Sequence, residues 1–395
     1  MLFRPFFWGL FVVVAVFLFG EAFVLTQTTN FAAWKDLHNA DDVPNWARRI
    51  PRDFRDLTDT AREDLLAKTL SALKDIAADS EVVPSTRYNA ILAAGQLELT
   101  SGNPSAAYPA ALPYLVDVYQ QEDAPQYLKY GALLGIVRHA ILGIEHDLQD
   151  NVIDLLLETV STEFMPVEVT LNAAPMEPEV WDWFQLTALD GLSALKTADT
   201  DGKVNKELLA VMNHKSQELE YFSRSENALT PEERKYTQRI IELASKAAKT
   251  LGDLDYKSAA NIDAKAMTDA FIALTKAVCN LKYKIAADSA TDSRVEQIVI
   301  QVKVCTHSVV WGIRSGPLTV RPTEHSFYAS LNNDSQEKKR LDVLMAEIVE
   351  LTTFFDEGEK TKRSVAEPNA PKAFRFDRSE LQDALQKCLA TIEEV

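Results

Sequence analysis

Leu112, Leu115, Val116 and Tyr119 stand at positions i, i+3, i+4 and i+7, and after Asp123-Ala124-Pro125 the stripe resumes with Tyr130, Leu133, Leu134, Val137 and Ile141. A helix turns once in about 3.6 residues, so each set lines one face of an α-helix. Proline has no amide hydrogen and clashes with the preceding turn, so the chain breaks between the two sets. Residues 109–141 therefore read as two short helices folded back on each other. The unit recurs: Tyr88-Asn89-Ala90-Ile91-Leu92-Ala93 parallels Tyr130-Gly131-Ala132-Leu133-Leu134-Gly135 at an offset of 42 residues. An amphipathic hairpin cannot bury its apolar face alone, so a chain that repeats it must stack it.

The same period runs from Asp64 onward. Leu148, Val152, Leu155 and Leu156 make one stripe; Val180, Trp183, Phe184, Leu192 and Leu195 make its partner, across a proline-rich loop from Met165 to Pro178. Thr230-Pro231-Glu232-Glu233 is a capping box, opening a helix whose stripe is Ile240, Leu243, Ala244, Ala247 and Leu251, closed by Gly252. Farther on, Met267, Phe271, Leu274, Val278, Leu281 and Ile285 alternate steps of four and three, as do Val295, Val299, Val302, Thr306, Val309 and Ile313. These are heptad seams, and the link at Ala287–Thr291 folds one onto the other. The β-branched residues of 295–305 also fit a strand, but the seam persists too long for one. Residues 315–333 form a loop, a helix follows near 335–356, and Ser379-Glu380-Leu381-Gln382 caps the last one. Only 13 of 395 residues are glycine, which argues against all-β and Rossmann chains with their many tight turns.

The two Tyr-x-Ala-x-Leu helices at Tyr88 and Tyr130, with Ala188-Leu189-Asp190-Gly191-Leu192, resemble the HEAT/armadillo-like α-solenoid superfamily over residues 63–255. A tetratricopeptide-like reading competes: Gly95, Gly102 and Ala107 fall near that family's small positions, but its aromatic and proline positions are missing. The expected fold is all-α: stacked antiparallel helix pairs of the HEAT-like α-solenoid kind, then a long helical hairpin and terminal helices, behind an N-terminal apolar signal or anchor segment. The segments are a leader at 1–22, a tether and start segment at 23–62, the repeat domain at 63–255, hairpin plus helix at 256–357, a charged linker at 358–378 and a terminal helix at 379–395.

The leader carries Arg4, then an apolar run from Phe6 to Phe19, then Gly20-Glu21-Ala22. Fourteen residues at the helical rise span about 21 Å, against about 30 Å for a bilayer core. A cleaved export signal ending at Ala22 and a retained anchor from Pro5 to Leu25 both fit. Either puts the N-terminus inside and the body outside the membrane.

Lys and Arg total 41 against 58 Asp and Glu, a net charge of −17. Nucleic acid and anionic lipid surfaces are poor partners for such a body. A protein partner is expected, basic partners and divalent cations stay open, and the membrane is met only through the leader. The acidity also serves solubility alone.

Three cysteines cannot make a disulfide scaffold. Cys388 lies on a core stripe with Leu381, Leu385, Leu389 and Ile392. With the hairpin turn at Ser289, Cys279 is expected opposite residue 300, about 7 Å of rise from Cys305 and beyond easy disulfide reach, so a bridge between them stays open.

Candidate chemistry is sparse. His139 and His146, if on one helix, stand about 10.5 Å apart along it, too far for one metal ion, and read as surface or capping residues. Asp199-Thr200-Asp201-Gly202 resembles part of a calcium loop, but Leu208 stands where a bidentate Glu belongs; a turn capped by Asn205 is the plainer reading. No phosphate loop, CxxC pair or nucleophile elbow occurs, so no cofactor, catalytic residue or metal ligand is assigned. Trp181, Asp182 and Trp183 can line a groove or join the core. The expected function is a non-catalytic scaffold or protein-binding module, with Tyr88, Tyr130 and Trp183 as the candidate binding face. The alternative is an extracytoplasmic enzyme or accessory subunit using His307, Trp311, Arg314 and His325 around the 315–333 loop.

Overall fold

The computed structural model describes residues 59–100, 106–162, 178–197, 202–257, 262–288, 292–363 and 378–394. The leader at 1–22, the tether up to residue 58, Gly102, loop residues 165–177, Asp199–Asp201 and linker residues 364–377 lie outside the described residues. Among the described residues there are 13 helices and one two-stranded ribbon, so the class is all-α. None of these helices is long and apolar enough to cross a membrane. The chain divides into two compact units, Met1–Glu145 and His146–Val395.

The first unit holds α1 (Asp59–Ala78), α2 (Pro84–Gly95), the antiparallel ribbon β1 (Glu98–Thr100) with β2 (Ala106–Ala107), α3 (Ala111–Gln120) and α4 (Gln126–Leu142). Proline opens α2, where its missing amide hydrogen costs nothing. The break at Asp123-Ala124-Pro125 falls between α3 and α4 as the periodicity requires. Helix α1 packs on α2, α3 on α4, and α2 on α4. The last pair runs parallel: Gly131 lies under Tyr88 and Ile91, and Gly95 meets Gly135. A Cβ on Gly95 would stand 2.5 Å from the Gly135 Cα, so the helices cross backbone to backbone.

Two expectations fail here. Ile141 is 66% exposed, because α4 is wrapped on its other sides: Leu128, Ala132, Leu133, Ile136 and Ala140 are buried. His139 is 2% exposed rather than on the surface. Gly143, at φ +102°, turns the chain before α5 starts, so His139 and His146 are on different helices. The ribbon was not foreseen; it is short, and an ion pair of Arg138 with Glu98 ties it to α4.

The second unit holds α5 (His146–Ser161), α6 (Pro178–Leu195), α7 (Lys203–Arg224), α8 (Pro231–Asp253), α9 (Ala264–Asp288), α10 (Asp292–Arg314), the single turn α11 (Phe327–Ser330), α12 (Gln336–Arg363) and α13 (Arg378–Glu393). Consecutive helices pair as α5/α6, α7/α8 and α9/α10, and the pairs pile up. First helices meet first helices, α5 with α7 and α7 with α9; second helices meet second helices, α6 with α8 and α8 with α10. Partners on α6 and α8 advance together, Glu179 with Lys235, Asp182 with Arg239, Asp190 with Lys246, so those two run parallel.

The Thr230 capping box is present in full: Thr230 Oγ1 accepts from the Glu233 amide at 3.2 Å, and Glu233 accepts from the Thr230 amide at 2.7 Å. Gly252 does not close α8, which runs on to Asp253. It is glycine because a Cβ there would stand 2.1 Å from the Trp311 carbonyl oxygen of α10. Gly312 answers it, where a Cβ would stand 2.4 Å from the Ala248 oxygen.

Both heptad seams of α9 and α10 are buried, and 295–305 is helix. The register differs from the expected one. Lys282 bonds Gln301, which brings Cys279 next to Cys305 instead of five residues away. Cys279 also shares a hydrogen bond with Cys388 of α13; all three thiols are free and buried. Helix α12 reaches Arg363, past the start of the expected linker, and α13 begins one residue before Ser379. Helix α7 starts after Gly202, at φ +71°, rather than at an Asn205 cap; Asn205 is buried and accepts from the Tyr256 hydroxyl at 3.1 Å.

Candidate functional site

In the second unit, four helices leave an open cleft of about 790 Å³. The end of α5 supplies Val160 and Ser161, with Thr162 just beyond it, and the start of α6 supplies Trp181, Asp182 and Gln185. Along α7 the lining residues are Glu207, Ala210, Val211, His214, Lys215 and Glu218, spaced so that they share one helix face. Tyr236, Arg239, Ile240 and Leu243 repeat that spacing on α8. Clefts between packed helices are ordinary places for ligand sites. This one stays open because its walls are charged, and taking charged groups out of water is unfavourable.

Two polar networks frame the space. In the first, Arg239 Nε stands 2.8 Å from Asp182 Oδ2 and Arg239 Nη1 stands 3.3 Å from Glu179, which Lys235 also contacts at 2.6 Å. The Asp182–Arg239 contact lies off the hydrogen-bonding direction, so both buried atoms lack a hydrogen-bond partner. Burial raises the Asp182 carboxyl despite the pull of Arg239, and the Lys235 hydrogen bond holds Glu179 below the usual carboxylate range. Glu242, beside this network, is raised by burial and then by Asp182.

In the second network, Glu218 receives Lys215 at 3.1 Å, the Tyr236 hydroxyl at 3.4 Å and His214 at 3.5 Å. Burial, then Glu218, pushes the Tyr236 phenol up. Trp181 is held in place: its Nε1 donates to the Thr162 oxygen at 3.1 Å and its ring stacks on Phe184 at 5.6 Å. Gln185 clamps the end of α5 by donating to Val160 and Thr162 oxygens at 2.8 and 3.1 Å. Rigid aromatic edge, paired charges and an apolar floor of Ile240 and Leu243 suit holding a polar ligand in one orientation.

The sequence candidates fall in both units. Trp181 and Asp182 line the cleft, whereas Trp183 lies outside it, 55% exposed. Tyr88 and Tyr130 sit half-buried on α2 and α4 of the first unit, and burial, then Tyr130, raises the Tyr88 phenol. Three of the groups proposed around the 315–333 loop are engaged with different partners. Trp311 Nε1 donates to Asp253 at 2.7 Å, Arg314 donates to the Val320 oxygen, and His325 Nδ1 lies 2.9 Å from Asp255; His307 is exposed on α10. Among the described residues no three His, Cys, Asp or Glu side chains gather as a metal site.

Sequence reading missed His214, Lys215, Glu218, Tyr236 and Arg239. A signal for part of the site was there: acids Glu179 and Asp182, three apart, match bases Lys235 and Arg239, four apart, on a later helix. No family model, curated protein or solved structure matches the chain.

Proposed function

We propose that this chain is a non-catalytic protein-binding module, a HEAT-like α-solenoid stack whose second unit receives its partner in the cleft between the α5/α6 and α7/α8 hairpins. The leader carries the body across a membrane, where it is released or stays anchored. The observation behind this reading is the cleft itself, with charges that pair among themselves and a tryptophan fixed at its edge. The meeting of first helices with first and second with second supports the solenoid assignment, since such stacks present extended faces to partners.

Capture from envelope fractions tests the reading. The full chain is compared with Ala210→Trp, which fills the cleft from an exposed position on α7. A partner held by the unaltered chain and lost by the variant is the expected result; a partner held equally by both removes the cleft from the interaction. Intact mass of the mature chain reads the loss of residues 1–22, and recovery of the full-length chain in the soluble cell interior overturns the proposed location.

A further inference from the structure

Resting on that reading, we propose that the cleft receives a cationic group, an alkylammonium or a guanidinium, beside Glu207. The inference comes from pairing the charges on its walls. Arg239 is matched by Asp182 and Glu179, and Lys215 is matched by Glu218. Glu207 alone among the lining carboxylates has no ion-pair or hydrogen-bond partner among the described residues. The lining is thus complete but for one positive charge.

The surroundings favour a ligand's cation over a bulk counter-ion. Glu207 is half-buried, so its charge is only partly screened by solvent. It shares one face of α7 with Ala210 and Val211, and Glu218 closes that face about 16 Å along the helix. A ligand lying along α7 therefore meets a carboxylate, a stretch of small apolar surface that accepts an aliphatic stem, and then the Lys215–Glu218–Tyr236 network. Trp181, locked by its Thr162 bond, offers an aromatic surface of the kind that attracts cations. The last turn of α5 ends at the cleft and adds the partial negative charge of a helix C-terminus. An anionic ligand meets the opposite: every base on the walls already has its acid.

A lysine or arginine side chain and a free polyamine share this chemistry. Titration calorimetry of the full chain uses the blocked tripeptides acetyl-Gly-Arg-Gly-amide, acetyl-Gly-Gln-Gly-amide and acetyl-Gly-Glu-Gly-amide, together with spermidine. The expected order puts the arginine peptide, spermidine or both at least about tenfold tighter than the glutamine and glutamate peptides, with affinity falling as salt rises. The arginine peptide and spermidine arms tell a side chain from a polyamine. Glu207→Gln weakens that binding about tenfold, and Glu207→Lys, which sets a like charge where the carboxylate stood, abolishes it. Equal binding of all three peptides, or cation binding unchanged in both Glu207 variants, overturns the cationic assignment and leaves the cleft as a binding site. Failure of every probe at millimolar concentration, alongside a partner capture that Ala210→Trp does not affect, overturns both.

Discussion

Helix α8 meets two parallel neighbours in different ways. Toward α10 it presents Ser245, Ala248 and Gly252, and the helices close until the Gly252 backbone touches the Trp311 carbonyl. Toward α6 it presents Lys235, Arg239 and Lys246, and the crossing is held by ion pairs around an open space. Small residues let backbones approach and exclude water; charged residues hold them apart and keep water in. One helix therefore anchors the stack on one face and forms the cleft wall on the other. The close apolar packing belongs to the first face and the polar, open surface to the second.

The largest expected effect strikes the close-packed side. Gly252→Ala or Gly312→Ala forces a methyl into a backbone carbonyl, so urea unfolding should show a loss of about 3 kcal/mol or more. A loss under about 1 kcal/mol breaks the contrast.

His139 extends the test to the first unit, as an imidazole in dry packing with no partner at Nε2. Burial, then Arg138, lowers its pKa to about 4 from an ordinary 6.5. The unfolded chain binds the proton more readily, so stability should fall as pH drops from 6.5 to 4, by up to about 3 kcal/mol. His139→Leu should flatten that part of the pH profile.

Lys282, 2% exposed between α9 and α10, is the misplaced charge of the dry region. Burial lowers its pKa to about 7. Replacing a buried charge by an apolar side chain of similar size often stabilises, so Lys282→Met should gain about 2 kcal/mol by thermal or urea unfolding. The unfolded-state amine titrates near 10.5. The gain should therefore be full below pH 7 and fade as pH rises toward 10.5.

The smallest effects belong to the wet face. Asp182→Asn removes a carboxylate whose burial opposes its attraction to Arg239, and should change stability by less than about 1 kcal/mol. Lys246→Gln should change it by still less, within about 0.5 kcal/mol. A loss of about 3 kcal/mol from either would place the stability of the stack on its charged face and reverse the comparison.

What was legible in the sequence follows the same division. The stripes of α9, α10 and α13 and the Thr230 cap were readable because burial and capping leave a local period or a local motif. The Tyr88/Tyr130 match was readable because α2 and α4 are parallel partners with one small-residue crossing. Gly252 was misread as a terminator, since glycine ends a helix and lets helices touch by the same lack of a Cβ. The cysteine register failed because α9 and α10 do not pair symmetrically about Ser289; Lys282 stands opposite Gln301. Most of the cleft was hidden for a different reason. Its residues come from four helices spread from Val160 to Leu243, and only packing of parallel partners gathers them. Charged residues on a helix face look alike whether they point to bulk water or to a shared hollow.

The last helix has a consequence for the open end of the helix pairs. Helix α9 turns Lys284 to the end of α7 and Cys279 to α13, faces about 140° apart around its axis. Helix α13 thus covers apolar surface on α9 that would otherwise invite another first-type helix. An open pile of like hairpins offers a sticky end on which a second molecule can nucleate. Here the chain supplies its own cover: α13, only 16 residues long, occupies the face of α9 on which a further first helix would have to pack.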